Sequence, residues 1–337
     1  PVGFHINPAT KRAEMDDFIK VLTQNTAVIA YLHTMSAAFL VSGTLVAAVA
    51  AYHLLKDRDN DIMMKALRLG AVATLIAGAA VGFTGDQDSK IMVKQQPMKM
   101  AAAEALYQTG KLSRLLAPDG RPTDEALYQT ESSAGFSLLT VGPLNGEKET
   151  FSIKVPKLLS FLATGDMNGE VKGVDNLEQE YAQTYSWTGL QAGEFMPNVP
   201  ITYWMFRLMI GLGMLGVLWA LWMLYITRGG RKPKSKFAFR SAVWITFAPL
   251  LGISTGWLFT ELGRQPWIVF GQMTTASAVS PAVSSLEVLL TMVLFTALYG
   301  VLAVIEMGLL LKTIRQGLPA ASDVKVVEGN EPLTFAY

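Results

Sequence analysis

Nine residues of this chain have types and surroundings that bear on chemistry inside a membrane. His33 stands in AVIAYLHTMSAAFLV, apolar on both sides. Histidine in a membrane span is costly and marks a candidate functional site, against the alternative of a hydrogen-bonded packing residue. Met209 and Arg207 share the segment YWMFRLMIG; a guanidinium there needs an anionic partner, either a cofactor carboxylate or a helix glutamate. Glu261 and Arg264 lie three residues apart in TELGRQPWIV, so that both could face one way on a helix, as an interfacial ion pair or as a carboxylate and cation that hold a cofactor. Trp257 and Trp267 flank them, at a depth where indoles collect as belt residues. Lys99 and Glu104, in PMKMAAAEAL, read on spacing alone as a solvated charged face.

The rest of the composition narrows the choice. The chain has 337 residues, no cysteine and only three histidines, so thiolate chemistry is excluded and imidazole sites are few. Charged residues make up 16% and hydrophobic ones 51%. Soluble domains carry about 25% charged residues, so a membrane protein is expected. The net charge of +1 gives no reason to expect nucleic acid as a partner. GLGMLG at 211–216 matches a dinucleotide fingerprint but lies in an apolar helix with no strand before it; close helix packing by small residues is the expected use.

Five apolar stretches could position these residues, at roughly 26–55, 69–84, 199–227, 238–262 and 286–311. The second is long enough only if it starts near Met63. The fold class expected is all-α, a polytopic transmembrane helix bundle with a long extracytoplasmic loop. Its divisions are two membrane helices in 1–84, the loop 85–198, three more helices in 199–315 and a cytoplasmic tail 316–337. Lys56, Arg58, Lys65 and Arg68, the cluster from Arg228 to Arg240, and Lys312 with Arg315 all fall on one side of an up-down threading. That side is cytoplasmic by the distribution of Lys and Arg, which puts the long loop outside. His33 then lies about 10 Å and Met209 about 15 Å below the outer ends of their helices, at comparable depth. Histidine and methionine on facing helices can hold a six-coordinate haem iron. A pair of histidines is a poorer prospect, since His53 shares the helix of His33 and no other span has one.

Taken together, YLHTMSAAF, FRLM, GWLFTE followed by GRQPW, and KMAAAE resemble subunit I of the cytochrome bd-type quinol oxidases of bacterial cell membranes. The resemblance runs over nearly the whole chain and corresponds to about the last two-thirds of such a subunit, so a missing N-terminal part of the same subunit is expected to precede PVGF. It implies a subunit of a terminal respiratory oxidase that oxidises quinol on the outer side, reduces O2 to water and generates a proton gradient. The implied cofactors are a low-spin haem b, a high-spin haem b and haem d. His33 and Met209 would be the axial ligands of the low-spin haem b, with Arg207 supporting it. Glu261 would ligate the high-spin haem b, beside Trp257 and Arg264. Lys99 and Glu104 would serve the quinol site in the outer loop. Subunit II is the implied partner in the lipid bilayer, with small accessory membrane subunits possible. EALYQT occurs at 104–109 and 125–130, which makes Glu125 a competitor to Glu104. The contrasting reading is a membrane transporter without haem; it predicts inverted repeats, and no pair of matching halves is evident.

Overall fold

A computed structural model of the chain describes residues 2–9, 13–108, 134–142 and 150–317. Glu125, the second EALYQT and nearly all of the C-terminal tail lie outside the described residues. The chain divides into two bodies, Pro1–Val279 and Ser280–Tyr337.

The first body opens with a hairpin of β1 (Phe4–Ile6) and β2 (Ala13–Met15), then a short helix α1 (Phe18–Leu22). Two long helices follow, α2 (Asn25–Lys56) and α3 (Asp61–Gln95). Asn60 caps α3 by accepting from the Met63 amide at 3.0 Å, which sets the start that the hydropathy left open. The helix does not end where the apolar run does. Residues 85–95 continue it, with the i,i+4 pair Asp86–Lys90 at 2.6 Å supporting a polar stretch with too little apolar surface to span lipid.

α2 and α3 approach closely because small residues line the contact. A Cβ added to Gly70 would fall 2.7 Å from the Ala47 amide nitrogen and 2.7 Å from the Gly43 carbonyl oxygen. Both obstacles are backbone, so the helices themselves would have to part. Gly70→Ala should therefore destabilise the protein by about 1–3 kcal/mol, read as a lower thermal midpoint in detergent. Gly211 and Gly213 behave otherwise: nothing lies within 4 Å of their Cβ positions, so the packing role expected for GLGMLG fails at those two residues. Of the glycines in that motif only Gly216 has neighbours within 4 Å of its Cβ position, Pro249 and Thr44 in ordinary contact.

Next come α4 (Pro97–Ala103), the antiparallel pair β3 (Phe136–Val141) and β4 (Phe151–Val155), α5 (Leu158–Thr164) and α6 (Val174–Thr184). The chain then enters α7 (Val199–Thr227), α8 (Lys236–Ile245) and α9 (Phe247–Gly263). The apolar stretch expected at 238–262 runs as α8 and α9, joined at Thr246, whose own backbone angles are helical, so that the two form one span. A buried core joins α2, α3, α7 and α8 near the 57–60 turn, with Leu54, Leu67, Met223 and Phe239 fully covered. Arg68 donates to the Thr227 carbonyl there, satisfying one of the free carbonyls at the end of α7. Elsewhere the long helices expose leucine and phenylalanine, such as Phe39, Phe83, Leu218 and Leu251. Contiguous apolar exposure on that scale belongs to lipid contact. Helices α2, α3, α7 and the α8–α9 pair are each long and apolar enough to cross a membrane.

After α9 a hairpin of β5 (Trp267–Val269) and β6 (Met273–Thr274) follows. The second body contains α10 (Ser285–Gln316), also of spanning length and composition. It begins with a capping box, in which Ser284 and Glu287 satisfy each other's backbone amides.

Candidate functional site

The candidate site residues gather where α4 meets the start of α7 and the end of α9. α4 begins with Pro97, whose missing N–H costs nothing at a helix start, and continues through Ala101, Ala102 and Ala103, all fully buried. Alanines leave room for α7 to come close. The helix ends in a Schellman turn: the Leu106 amide donates to the Ala101 carbonyl at 2.8 Å, and Ala105 takes the left-handed position at φ 47°. Glu104 is the C-cap residue of this turn, and the turn aims its carboxylate inward.

Glu104 is 1% exposed. Its Oε2 accepts from Arg207 Nη2 at 2.5 Å, across 103 residues of sequence, and from the Ser137 amide at 3.4 Å. Its Oε1 is buried with no hydrogen-bond partner. Arg207 is equally incomplete: Nε and Nη1 are buried without partners, while the guanidinium carbon lies 4.5, 5.0 and 5.3 Å from the ring centroids of Phe136, Tyr203 and Phe206. Burial pushes the Glu104 carboxyl above the ordinary carboxylate range, although Arg207 and the Ser137 amide pull the other way. The solvated face suggested by spacing is therefore wrong for Glu104, and its direct partner is the arginine.

β3 helps to build this pocket in a way the sequence conceals. A bulge shifts the register between Ser137 and Leu139, so Ser137 and Thr140 are both buried, although they are three residues apart on a strand. Their hydroxyls lie 2.6 Å apart, and Ser137 Oγ is 3.0 Å from the Tyr203 hydroxyl. Tyr203 and Ser137 were invisible to sequence reasoning; the only signal is that a tyrosine one helical turn before Arg207 shares its face.

Lys99 is also largely covered. Its ammonium sits 4.8 Å above the Phe259 ring and makes no ion pair among the described residues. Burial lowers its pKa to about 8, with Arg264 adding to the effect and the Asp88 and Glu261 carboxylates opposing it. Lys99 is thus close in space to Glu261 and Arg264, which form the expected i,i+3 ion pair at the end of α9. Trp257, one helical turn before Glu261 on α9, is 63% exposed.

Trp267 is not a belt residue. It is 2% exposed, stacked on Phe195 at 6.0 Å and edge-on to Tyr185 at 5.0 Å, in a cluster with Tyr181 and Phe270. The Q–P bond of GRQPW is cis, and the tryptophan that follows anchors the 174–199 region to the end of α9.

His33 and Met209 lie deeper. Gly216 of α7 meets Thr44 of α2. The helices run in the same direction, so counting back at 1.5 Å per residue sets His33 and Met209 within about 6 Å of one another in height. His33 Nδ1 is 3.1 Å from Thr84 Oγ1 on α3, and Met209 packs against Gly256 of α9. Among the described residues no three His, Asp or Glu side chains converge on one point, so these residues offer no cage for a bare ion. An iron held by His33 and Met209 needs its remaining ligands from a macrocycle. The two partnerless nitrogens of Arg207 fit a propionate of such a group.

The comparisons with known proteins agree on one family. The family model described as cytochrome bd terminal oxidase subunit I matches residues 1–120 and 122–318. The chain is 33% identical over 317 residues to cytochrome bd ubiquinol oxidase subunit 1 of Bacillus subtilis (strain 168), covering 94% of this chain and 62% of that protein. It is 24% identical over 371 residues to cytochrome bd-II ubiquinol oxidase subunit 1 of Escherichia coli (strain K12), covering 94% and 68%. The solved structure of the bd oxidase from Geobacillus thermodenitrificans shares its fold, with a TM-score of 0.72 at 24% identity over 94% of this chain and 64% of the other. The chain therefore spans less than two-thirds of the Bacillus subtilis relative's length. With the family model matching almost from end to end and the helical fold shared, the chain belongs to the cytochrome bd terminal oxidase subunit I family.

Proposed function

We propose that this chain is the haem-holding, quinol-oxidising portion of a quinol:oxygen oxidoreductase. The observation that carries the reading is the buried Glu104–Arg207 pair, whose three partnerless atoms point to two absent ligands. Glu104 Oε1 is an acceptor for a quinol hydroxyl. Arg207 Nε and Nη1 are donors for a haem propionate. One ion pair would thus stand between the electron donor and the first electron acceptor.

His33 and Met209 would be the axial ligands of the low-spin haem b, and Glu261, with Arg264 and Trp257 beside it, would serve the high-spin haem b. Bound haem, haem d included, would supply one-electron transfer and the reduction of O2 to water. The chain's own residues do the rest. Glu104, with its carboxyl held above the usual range, accepts the quinol proton at Oε1. Arg207 holds Oε2 and thereby fixes the carboxylate. Lys99 donates to a quinol oxygen, its ammonium being covered and not committed to a carboxylate. Each quinol releases two protons and two electrons, and two quinols reduce one O2 with four protons. With the Lys- and Arg-rich turns on the cytoplasmic side, the 97–198 region and its quinol protons face outside, the C-terminus lies inside, and turnover generates a proton gradient across the cell membrane. Subunit II completes the assembly, with any accessory subunits around it.

Oxygen uptake by the assembled complex, driven by a reduced quinol analogue, tests this reading. Lys99→Met should raise KM about 10- to 100-fold, the worth of a hydrogen bond from a charged donor. The wild-type KM should climb as pH passes about 8, where Lys99 loses its proton, and the variant should lack that limb. No quinol-dependent uptake by the wild type would overturn the proposal.

A further inference from the structure

We infer that Thr84 with Gly85 on α3, and Gly256 on α9, are positioning residues that set the tautomer of His33 and seat the thioether of Met209. The inference rests on the reading of those two side chains as axial ligands.

Thr84 is 7% exposed, and its hydroxyl has one proton to give. Oγ1 lies 2.8 Å from the Ala80 carbonyl, one turn back, with the Val81 carbonyl at 3.3 Å. The proton is committed to that turn. What faces His33 Nδ1 at 3.1 Å is then a lone pair, so Nδ1 carries the hydrogen and donates it. This hydrogen-bond network leaves Nε2 with its lone pair free, the form a metal-binding imidazole requires. A donated Nδ1–H also raises the basicity of the ligating nitrogen.

The glycines act by what they omit. A Cβ at Gly85 would lie 3.2 Å from His33 Cε1 and 3.6 Å from Nδ1, so the ring rests on the bare backbone of α3. A Cβ at Gly256 would lie 2.7 Å from Met209 Sδ and 3.2 Å from its Cγ. The same helices carry their own controls. Gly82 of α3 has nothing within 4 Å of its Cβ position, and Gly252 of α9 meets only ordinary contacts from 3.5 Å. Gly70 and Gly78 of α3 and Gly263 of α9 are also close-packed, but against other neighbours; at Gly85 and Gly256 the side chain met is that of a candidate ligand.

The test uses the assembled, haem-loaded complex and reads the reduced-minus-oxidised spectrum and the midpoint potential of the low-spin haem. Thr84→Val keeps the shape and removes the acceptor. The imidazole becomes a weaker donor, the ferric form loses preference, and the potential should rise. A tenfold change in that preference is the scale expected of an outer-shell partner, or about 59 mV for one electron. Thr84→Ser should restore the wild-type value. Gly256→Ala should push the thioether away and convert part of the low-spin signal to high-spin, while Gly82→Ala and Gly252→Ala leave spectrum and potential unchanged. Thr84→Val decides the matter even where Gly256→Ala does not accumulate. A wild-type potential in Thr84→Val, with the low-spin signal lost in His33→Ala and Met209→Leu, would overturn this inference alone. Retention of the signal in those two variants would instead overturn the axial reading on which it rests.

Discussion

Glu104→Gln in the assembled complex should lower quinol-driven kcat by about 10²- to 10⁴-fold, the range for a positioned proton acceptor. The amide keeps a hydrogen bond to Arg207 but cannot take a proton at the free oxygen. Arg207→Met should differ in kind. It strands Glu104 in a site that is 1% exposed, and breaking a buried ion pair costs about 3–5 kcal/mol. That loss depends on pH with a definite sign. Burial already raises the Glu104 carboxyl above its unfolded value, and removing Arg207 takes away the main opposing influence. A group whose folded pKa is raised is accommodated below its unfolded pKa and becomes a liability as pH rises through the folded one. The Arg207→Met midpoint should therefore fall as the buffer is made more alkaline and recover towards wild type on acidification. In Glu104→Gln the arginine retains Nε and Nη1 for a propionate, so its stability loss should be the smaller of the two. The double variant, neutral on both sides, should regain much of the stability and none of the turnover. A double variant with restored turnover would remove Glu104 from the mechanism.

How much of this site can be read from the chain depends on the range of the interaction that makes it. Glu261 and Arg264 are three residues apart on one helix, and their pairing follows from helix geometry. His33 is conspicuous because an imidazole among alanines and leucines has few reasons to be there. Glu104 and Arg207 are the opposite case, 103 residues apart: the arginine calls for an anionic partner, but nothing near either residue in the chain says which. Nothing local shows that a run of three alanines lets α7 approach or that a Schellman turn aims the glutamate at it. Ser137 is further hidden by the bulge in β3, which breaks the two-residue alternation that a strand pattern relies on. Trp267 misleads for a similar reason. Its position at the end of an apolar helix suits an interfacial belt, but the cover comes from Tyr181, Tyr185 and Phe195, some 70 to 90 residues earlier in the chain. The polar residues after Phe83 likewise look like the start of a loop, whereas helix propensity and the Asp86–Lys90 pair carry α3 on to Gln95.

If His33 and Met209 are the axial pair proposed above, they give the largest spectroscopic effect to be expected from any single change. His33→Ala removes a nitrogen ligand that no described residue can replace, because His5 lies in the β1 hairpin and His53 five turns along the same helix. The low-spin signal of one haem should vanish, with the other haems retained. Met209→Leu is nearly isosteric, so packing against Gly256 survives while the sulfur ligand is lost. It should convert the same haem to a high-spin form and lower its potential, since thioether ligation raises potential in six-coordinate sites. The two variants must act on one and the same haem, for the height difference of about 6 Å is small enough for one porphyrin to lie between the helices. Separate haems affected by the two variants would break the pairing of His33 with Met209 and leave each needing another partner. A purified wild-type complex without any haem would remove the oxidase reading itself and favour a transporter, in which His33, Arg207 and Glu104 line a substrate path. That outcome would require one small solute to satisfy the three partnerless atoms of the Glu104–Arg207 pair, which under the proposal a quinol and a propionate would satisfy separately.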